Sequence, residues 1–239
     1  MNNSYSLARR KFLSASALAS MAAISPFQID LIAAENSRLI PLDSPDHLIR
    51  KGCSAAMAEH RGRRALQLSG LPANTPGPGG ELAMIPGLVF KNGTIEVELA
   101  GGPVAGPTPG FLGLAFHIDD EMKSFEHVYL RPKNGRHENQ LQRNHACQYA
   151  SQPNFGWKKL REEFPGVYES YVDLEVDAWT QMRLEIHAMK LRLFVNDTVH
   201  PCLVVNDLKL GEVSGGIALW IDTQTRAFFR NLRIANSDS

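Results

Sequence analysis

Apolar residues fall on every second position in several short runs of this chain, which restricts those runs to strands with one buried face. Ile95, Val97 and Leu99 alternate with Thr94, Glu96 and Glu98, directly after the turn pair Asn92-Gly93. Met182, Leu184 and Ile186 alternate with Arg183, Glu185 and His187. Leu191, Leu193 and Val195 resume the pattern after a three-residue link, which predicts a hairpin, and Asn196-Asp197 makes the next turn. Residues 111–118 are almost all apolar, as in a strand buried on both faces. Further strands are predicted over residues 125–130, 202–205, 217–221 and 227–234. The last slips register at Arg230-Asn231, which predicts a bulge. One helical turn is expected at residues 54–59 and another at 157–163. Residues 71–80 and 101–110 are rich in Pro and Gly and read as loops. Many short strands with such punctuation predict an all-β fold, a jelly-roll sandwich of two antiparallel sheets forming a single domain over residues 35–239.

The composition narrows what such a sandwich can do. The chain has 239 residues, 44% of them hydrophobic, enough for one sizeable core. Its 25 basic and 25 acidic residues cancel, so it lacks the basic excess that a nucleic-acid partner requires. No apolar run is long enough to predict a transmembrane span.

The N-terminus carries an export signal. Arg9 and Arg10 precede Lys11, Phe12 and Leu13, and a mildly apolar stretch of small residues follows. This order looks like the twin-arginine motif, although Ala8 stands where a hydroxyl residue is common. Residues 1–34 are therefore expected to be a signal peptide. Arg9 and Arg10 would engage the export machinery, and the mature domain would be periplasmic or secreted. Three cysteines remain, Cys53, Cys147 and Cys202. An odd number leaves at least one thiol unpaired within the chain, and the sequence leaves open whether two of them pair.

Several runs resemble concanavalin A-like (laminin-G-like) sandwiches when taken in order. They are residues 92–97, Gly113-Leu114-Ala115-Phe116 and Tyr129-Leu130-Arg131. Trp179-Thr180, residues 193–196, residues 216–220 and residues 229–234 complete the series. The nearest match among these is the bacterial family of 3-keto-disaccharide hydrolase-like domains. That resemblance implies a jelly roll with a carbohydrate ligand.

Residues 129–171 exceed what a connection needs. From Arg131 to Glu169 there are seven Lys or Arg and four Glu, with aromatic residues among them. Sugar sites combine aromatic platforms with planar hydrogen-bonding groups. Tyr149, Trp157 and Tyr168 are candidate platforms. Arg131, Arg143, His145 and Gln148 are candidate hydrogen-bonding groups. If the chain is extended here, His145, Cys147 and Tyr149 share one face, while Asn144, Ala146 and Gln148 share the other. Arg143, His145 and Tyr149 are placed on the concave, ligand-facing side.

Glycoside cleavage needs two carboxylates. Glu126 and Glu169, at the ends of this segment, are the candidate catalytic acids. Asp173, Glu175 and Asp177 alternate with Val172, Leu174 and Val176 as on a solvent-facing strand, and the Glu-x-Asp-x-x-Glu pattern of sandwich glycosidases is missing. Asp119-Asp120-Glu121 reads as an exposed acidic turn rather than a calcium site. The histidines lack zinc-ligand spacing, so no metal is expected. No phosphate loop, dinucleotide fingerprint or nucleophile elbow is present, and no cofactor is expected. Three functions stay open: a carbohydrate-binding domain, a glycoside hydrolase acting on a disaccharide, and a non-catalytic envelope protein.

Overall fold

The computed structural model describes residues 37–70, 80–104 and 110–237. Arg9, Arg10 and the rest of the expected signal peptide lie outside the described residues, as does most of the 71–80 loop. In chain order the first strands are β1 (Arg38–Ile40), β2 (Ile49–Lys51), β3 (Cys53–His60), β4 (Arg63–Gly70) and β5 (Glu81–Met84). Then come β6 (Gly93–Pro103), β7 (Leu112–Ile118) and β8 (Phe125–Leu130), followed by two short helices, α1 (Pro132–Gly135) and α2 (Gln140–Arg143). Next are β9 (Cys147–Gln152), α3 (Trp157–Glu163) and β10 (Glu169–Ser170). The last are β11 (Thr180–His187), β12 (Lys190–Val195), β13 (Leu203–Val205), β14 (Gly216–Ile221) and β15 (Thr225–Asn236).

These strands form two antiparallel sheets. One is eight-stranded, in the order β13-β12-β11-β6-β15-β4-β3, with β1 also paired to β15. The other is seven-stranded, in the order β10-β9-β8-β7-β14-β5-β2. The expected all-β jelly-roll sandwich is present. Its core is built from cross-strand rows. Ile234, Ile95, Leu184, Leu193 and Leu203 are successive partners across five strands of the larger sheet, and all are buried. Each such side chain contributes about 1.5–3 kcal/mol by leaving water. On the opposite face of the same strands, Glu96, Glu98, Arg183 and Arg230 form ion pairs. The alternation read from the sequence is thus the division between core and solvent.

The bulge expected near Arg230-Asn231 is there. The β15–β6 register shifts between Arg230 and Arg233, and Asn231 has a φ of 52°. The helix expected at 157–163 is α3. The one expected at 54–59 is instead part of β3, paired residue by residue with β4. Helix preference in that Ala-rich run is a few tenths of a kcal/mol per residue, and the eight-residue ladder overrides it. Residues 101–103 continue β6 rather than opening the loop expected at 101–110, and residues 105–109 of that expected loop lie outside the described residues.

The seven-stranded sheet positions the site. Strand β8 is buried on both faces. Glu126, Val128 and Leu130 point to one face, and Phe125, His127 and Tyr129 to the other. Tyr129 and Trp220 flank the same residue, Gly113, as its cross-strand partners. Without a side chain between them, their rings stack with centroids 4.7 Å apart and planes 28° apart. A Cβ on Gly113 would lie 2.6 Å from Tyr129 Cα. We expect Gly113→Ala to destabilise the domain by about 1–3 kcal/mol through overpacking. Urea unfolding would show this as a lower midpoint, with an unchanged midpoint as the contrary result.

Candidate functional site

A cleft of about 560 Å³ opens over Tyr129 and Trp220 on the seven-stranded sheet. No residue of the eight-stranded sheet lines it, so it lies on the face turned away from the sandwich core. Its floor is His127, Tyr129 and Trp220, and Phe111 stacks on Tyr129 with centroids 5.7 Å apart. Ala115, Ala150 and Ala218 lie on the same face in the row through His127, which keeps the floor low there. One wall is the end of β9 and the segment after it: Gln152, Pro153, Asn154 and the first residues of α3. Trp157 stands in that wall, 48% exposed, with the Arg161 guanidinium 5.0 Å from its ring centre. At the other end Gly80 lies against the Trp220 indole, where any side chain would collide with the ring.

The polar groups of the cleft are unevenly satisfied. The Asp222 Oδ1 accepts the Thr223 N–H at 2.9 Å, and burial pushes its carboxyl pKa up, against the pull of that N–H and of Arg131. Neither ring nitrogen of His127 has a hydrogen-bond partner. Burial holds His127 down to about 3, so it is neutral at physiological pH. Its neighbours are the rings of Phe125, Tyr129 and Trp220.

Arg131 stands behind the cleft floor. It donates to Gln148 Oε1 at 2.5 Å, to the Tyr129 hydroxyl at 3.1 Å and to the His145 carbonyl at 2.9 Å. Its guanidinium lies 4.9 Å from the Phe111 ring centre and 5.1 Å from that of Tyr129. Arg131 therefore orients the aromatic floor. Glu169 sits next in the same row, paired with Gln148 on β9. It accepts Arg161 through both oxygens and has His145 Nδ1 at 2.7 Å. Burial lowers the His145 pKa, and Glu169 opposes that shift.

The structure distributes the remaining sequence candidates elsewhere. Tyr149 faces the core and not the ligand side, because its partner across the ladder is the inward-facing Val128. Gln148 takes the side expected for Tyr149, and His145 precedes the strand rather than sharing its alternation. The Tyr149 hydroxyl donates to Glu126 Oε1 at 2.8 Å and accepts the Lys209 N–H at 2.8 Å. Glu126 is fully buried on that same inner side. Its Oε1 also accepts the Leu210 N–H at 3.1 Å, and its Oε2 lies 2.9 Å from His117 Nδ1. A backbone of φ 53° at His117, beside the β7–β14 register shift, accompanies this inward turn of the ring. Glu126 thus lacks the access to a ligand that an acid catalyst needs.

Tyr168 donates to Asp207, and Arg143 donates to the Tyr171 hydroxyl at 3.0 Å. Lys209 lies 4.7–5.3 Å from the ring centres of Phe155, Phe164 and Tyr168, with Asp207 Oδ2 2.6 Å from its ammonium. Asp173 and Glu175 are taken up by Arg136, which holds the Asp173 carboxyl below its usual range. Trp157 alone among the sequence-predicted site residues lines the cleft. Its other main residues, His127, Tyr129, Trp220 and Asp222, were not singled out as ligand groups. The only signal for His127 and Tyr129 was their alternation along β8, and Trp220 and Asp222 lie in a distant part of the chain. Among the described residues no cluster of His, Cys, Asp or Glu could hold a metal ion, and no helix is long and apolar enough to cross a membrane.

No protein-family model matches the chain, and no curated protein sequence matches it. Solved structures do. The chain is similar to the carbohydrate-binding module CBM66 from Bacillus subtilis, at 13% identity and a TM-score of 0.50, covering 77% of this chain and 94% of that one. It is also similar to a Bacillus subtilis protein of unknown function with a galectin-like fold, at 13% identity and a TM-score of 0.54, covering 83% and 94%. The chain folds as a concanavalin A-like sandwich. At such identity the likeness extends to the fold alone.

Burial of His127 gives the site a pH signature. The folded protein takes up its proton only near pH 3, while the unfolded chain takes it up near 6.5. Its contribution to stability is complete above pH 6.5 and is lost as pH falls toward 3. At pH 5 the loss is roughly 2 kcal/mol. We expect His127→Phe to remove this term, so that the variant gains on the parent protein as pH drops from 7 to 5. Urea midpoints at the two pH values check it; an equal gap between the proteins at both would contradict it.

Proposed function

We propose that this protein is an exported carbohydrate-binding domain whose ligand lies in the cleft on the seven-stranded sheet. The carrying observation is the stacked floor of Tyr129 and Trp220, with the half-exposed Trp157 indole in the wall beside it. A sugar ring presents an apolar face of C–H groups and an edge of hydroxyls. Aromatic rings suit the first, and Gln152, Asn154 and Asp222 suit the second. The similarity to a carbohydrate-binding module supports the reading. The twin-arginine pattern at Arg9 and Arg10 supports export to the periplasm or beyond.

A second reading, cleavage of a glycosidic bond, is favoured by one observation. Asp222 is a carboxyl raised by burial inside the cleft, as a general acid requires. Glu162 on α3 is the other carboxylate lining it. Those two, rather than Glu126 and Glu169, are the pair that reading would use.

One set of titrations tests both readings. An aromatic platform contributes about 0.5–1.5 kcal/mol, so Trp157→Ala should weaken binding of a plain glycan three- to tenfold while leaving the unfolding midpoint unchanged. Absence of any glycan binding by the parent protein, or equal binding by the variant, would defeat the proposal. Release of reducing sugar from a disaccharide, abolished in Asp222→Asn with binding retained, would establish the hydrolase instead.

A further inference from the structure

The orphaned imidazole at the cleft floor says which kind of sugar would fit. His127 is 3% exposed, lines the cleft, and has no partner at Nδ1 or Nε2. A buried polar group without a partner costs about 1–3 kcal/mol, a cost that a ligand can relieve. A neutral imidazole offers one donor and one acceptor. A hydroxyl group is also both donor and acceptor, so it can answer either nitrogen, whichever tautomer is present. A carboxylate only accepts, and would serve the N–H alone.

The charges around the cleft point the same way. Its two lysines already have acids near them: Lys158 lies 3.9 Å from Glu162, and Lys159 lies 4.0 Å from Glu163. Arg131 is occupied by Gln148, Tyr129 and the His145 carbonyl. Asp222 and Glu162 face the cleft as acids. An acidic sugar would meet two carboxylates and no cation without an acid or hydrogen-bond partner.

Resting on the carbohydrate reading, we infer that His127 recognises a ring hydroxyl and that the cleft takes neutral sugars in preference to uronic acids. The low pKa that burial gives the imidazole keeps this recognition in force across the physiological range.

The experiment is calorimetric titration of the full chain with neutral oligosaccharides, their uronate counterparts and a series of monodeoxy analogues. Neutral sugars should bind at least tenfold tighter than uronates. His127→Phe, and His127→Asn as a second variant, should lose about tenfold for the neutral sugar. One monodeoxy analogue should bind the parent protein and His127→Phe equally well, which marks the hydroxyl that His127 reads. If neutral sugars bind but both variants bind them as tightly, or if uronates bind as well, this inference falls and the carbohydrate reading stands. If no sugar binds the parent protein, both fall.

Discussion

Strand β8 has no solvent face, and the arrangement of the molecule follows from that constraint. One side of it must be covered by the eight-stranded sheet. The other must be covered by something outside the sandwich, since the sheet ends there. The segment from Gln152 to Glu163 does this incompletely. It forms one wall and leaves the space over His127, Tyr129 and Trp220 open. The cleft is what remains when a second burial is required of a sheet that has only one partner.

On the inner side the same constraint is met with polar groups. Glu126 is a carboxylate in the core, held by the Tyr149 hydroxyl, the Leu210 N–H and the His117 ring. His117 in turn reaches the Lys91 carbonyl at 2.9 Å. Three other stretches of chain meet at the Glu126 side chain, and a fourth joins through His117. A buried polar group is tolerable only when its hydrogen-bonding capacity is met this way, and removal of any partner strands the rest. The network therefore sets which loops can close over this end of the sandwich. It explains why an acid in the middle of an apolar strand is structural here.

Much of the fold was legible in the sequence because one-sided burial leaves a period of two. Residues 94–99 and 182–195 show core and solvent faces in their own letters, and even the slip at Arg230-Asn231 could be read. Where burial is two-sided the signal vanishes. In β9 the alternation of Cys147, Gln148 and Tyr149 was recognised, but nothing local says which set faces the cleft. Only the pairing of Tyr149 with Val128 decides it. The cleft itself was illegible for a related reason. Tyr129 and Trp220 are far apart in the chain and meet only because both pair with Gly113. No spacing rule connects them. Trp157 was found because it is an aromatic residue inside the long polar segment 129–171, where a stacking platform was sought.

Lys209 has a consequence that reaches past its own surroundings. Its ammonium is held among Phe155, Phe164 and Tyr168, and its backbone N–H is bonded to Tyr149. One residue thus ties the cleft wall to the polar network inside the sandwich. A wall so tethered has little freedom left to lose when something settles against it. The ordering cost that weakens binding by loose loops is met here during folding, before any ligand arrives.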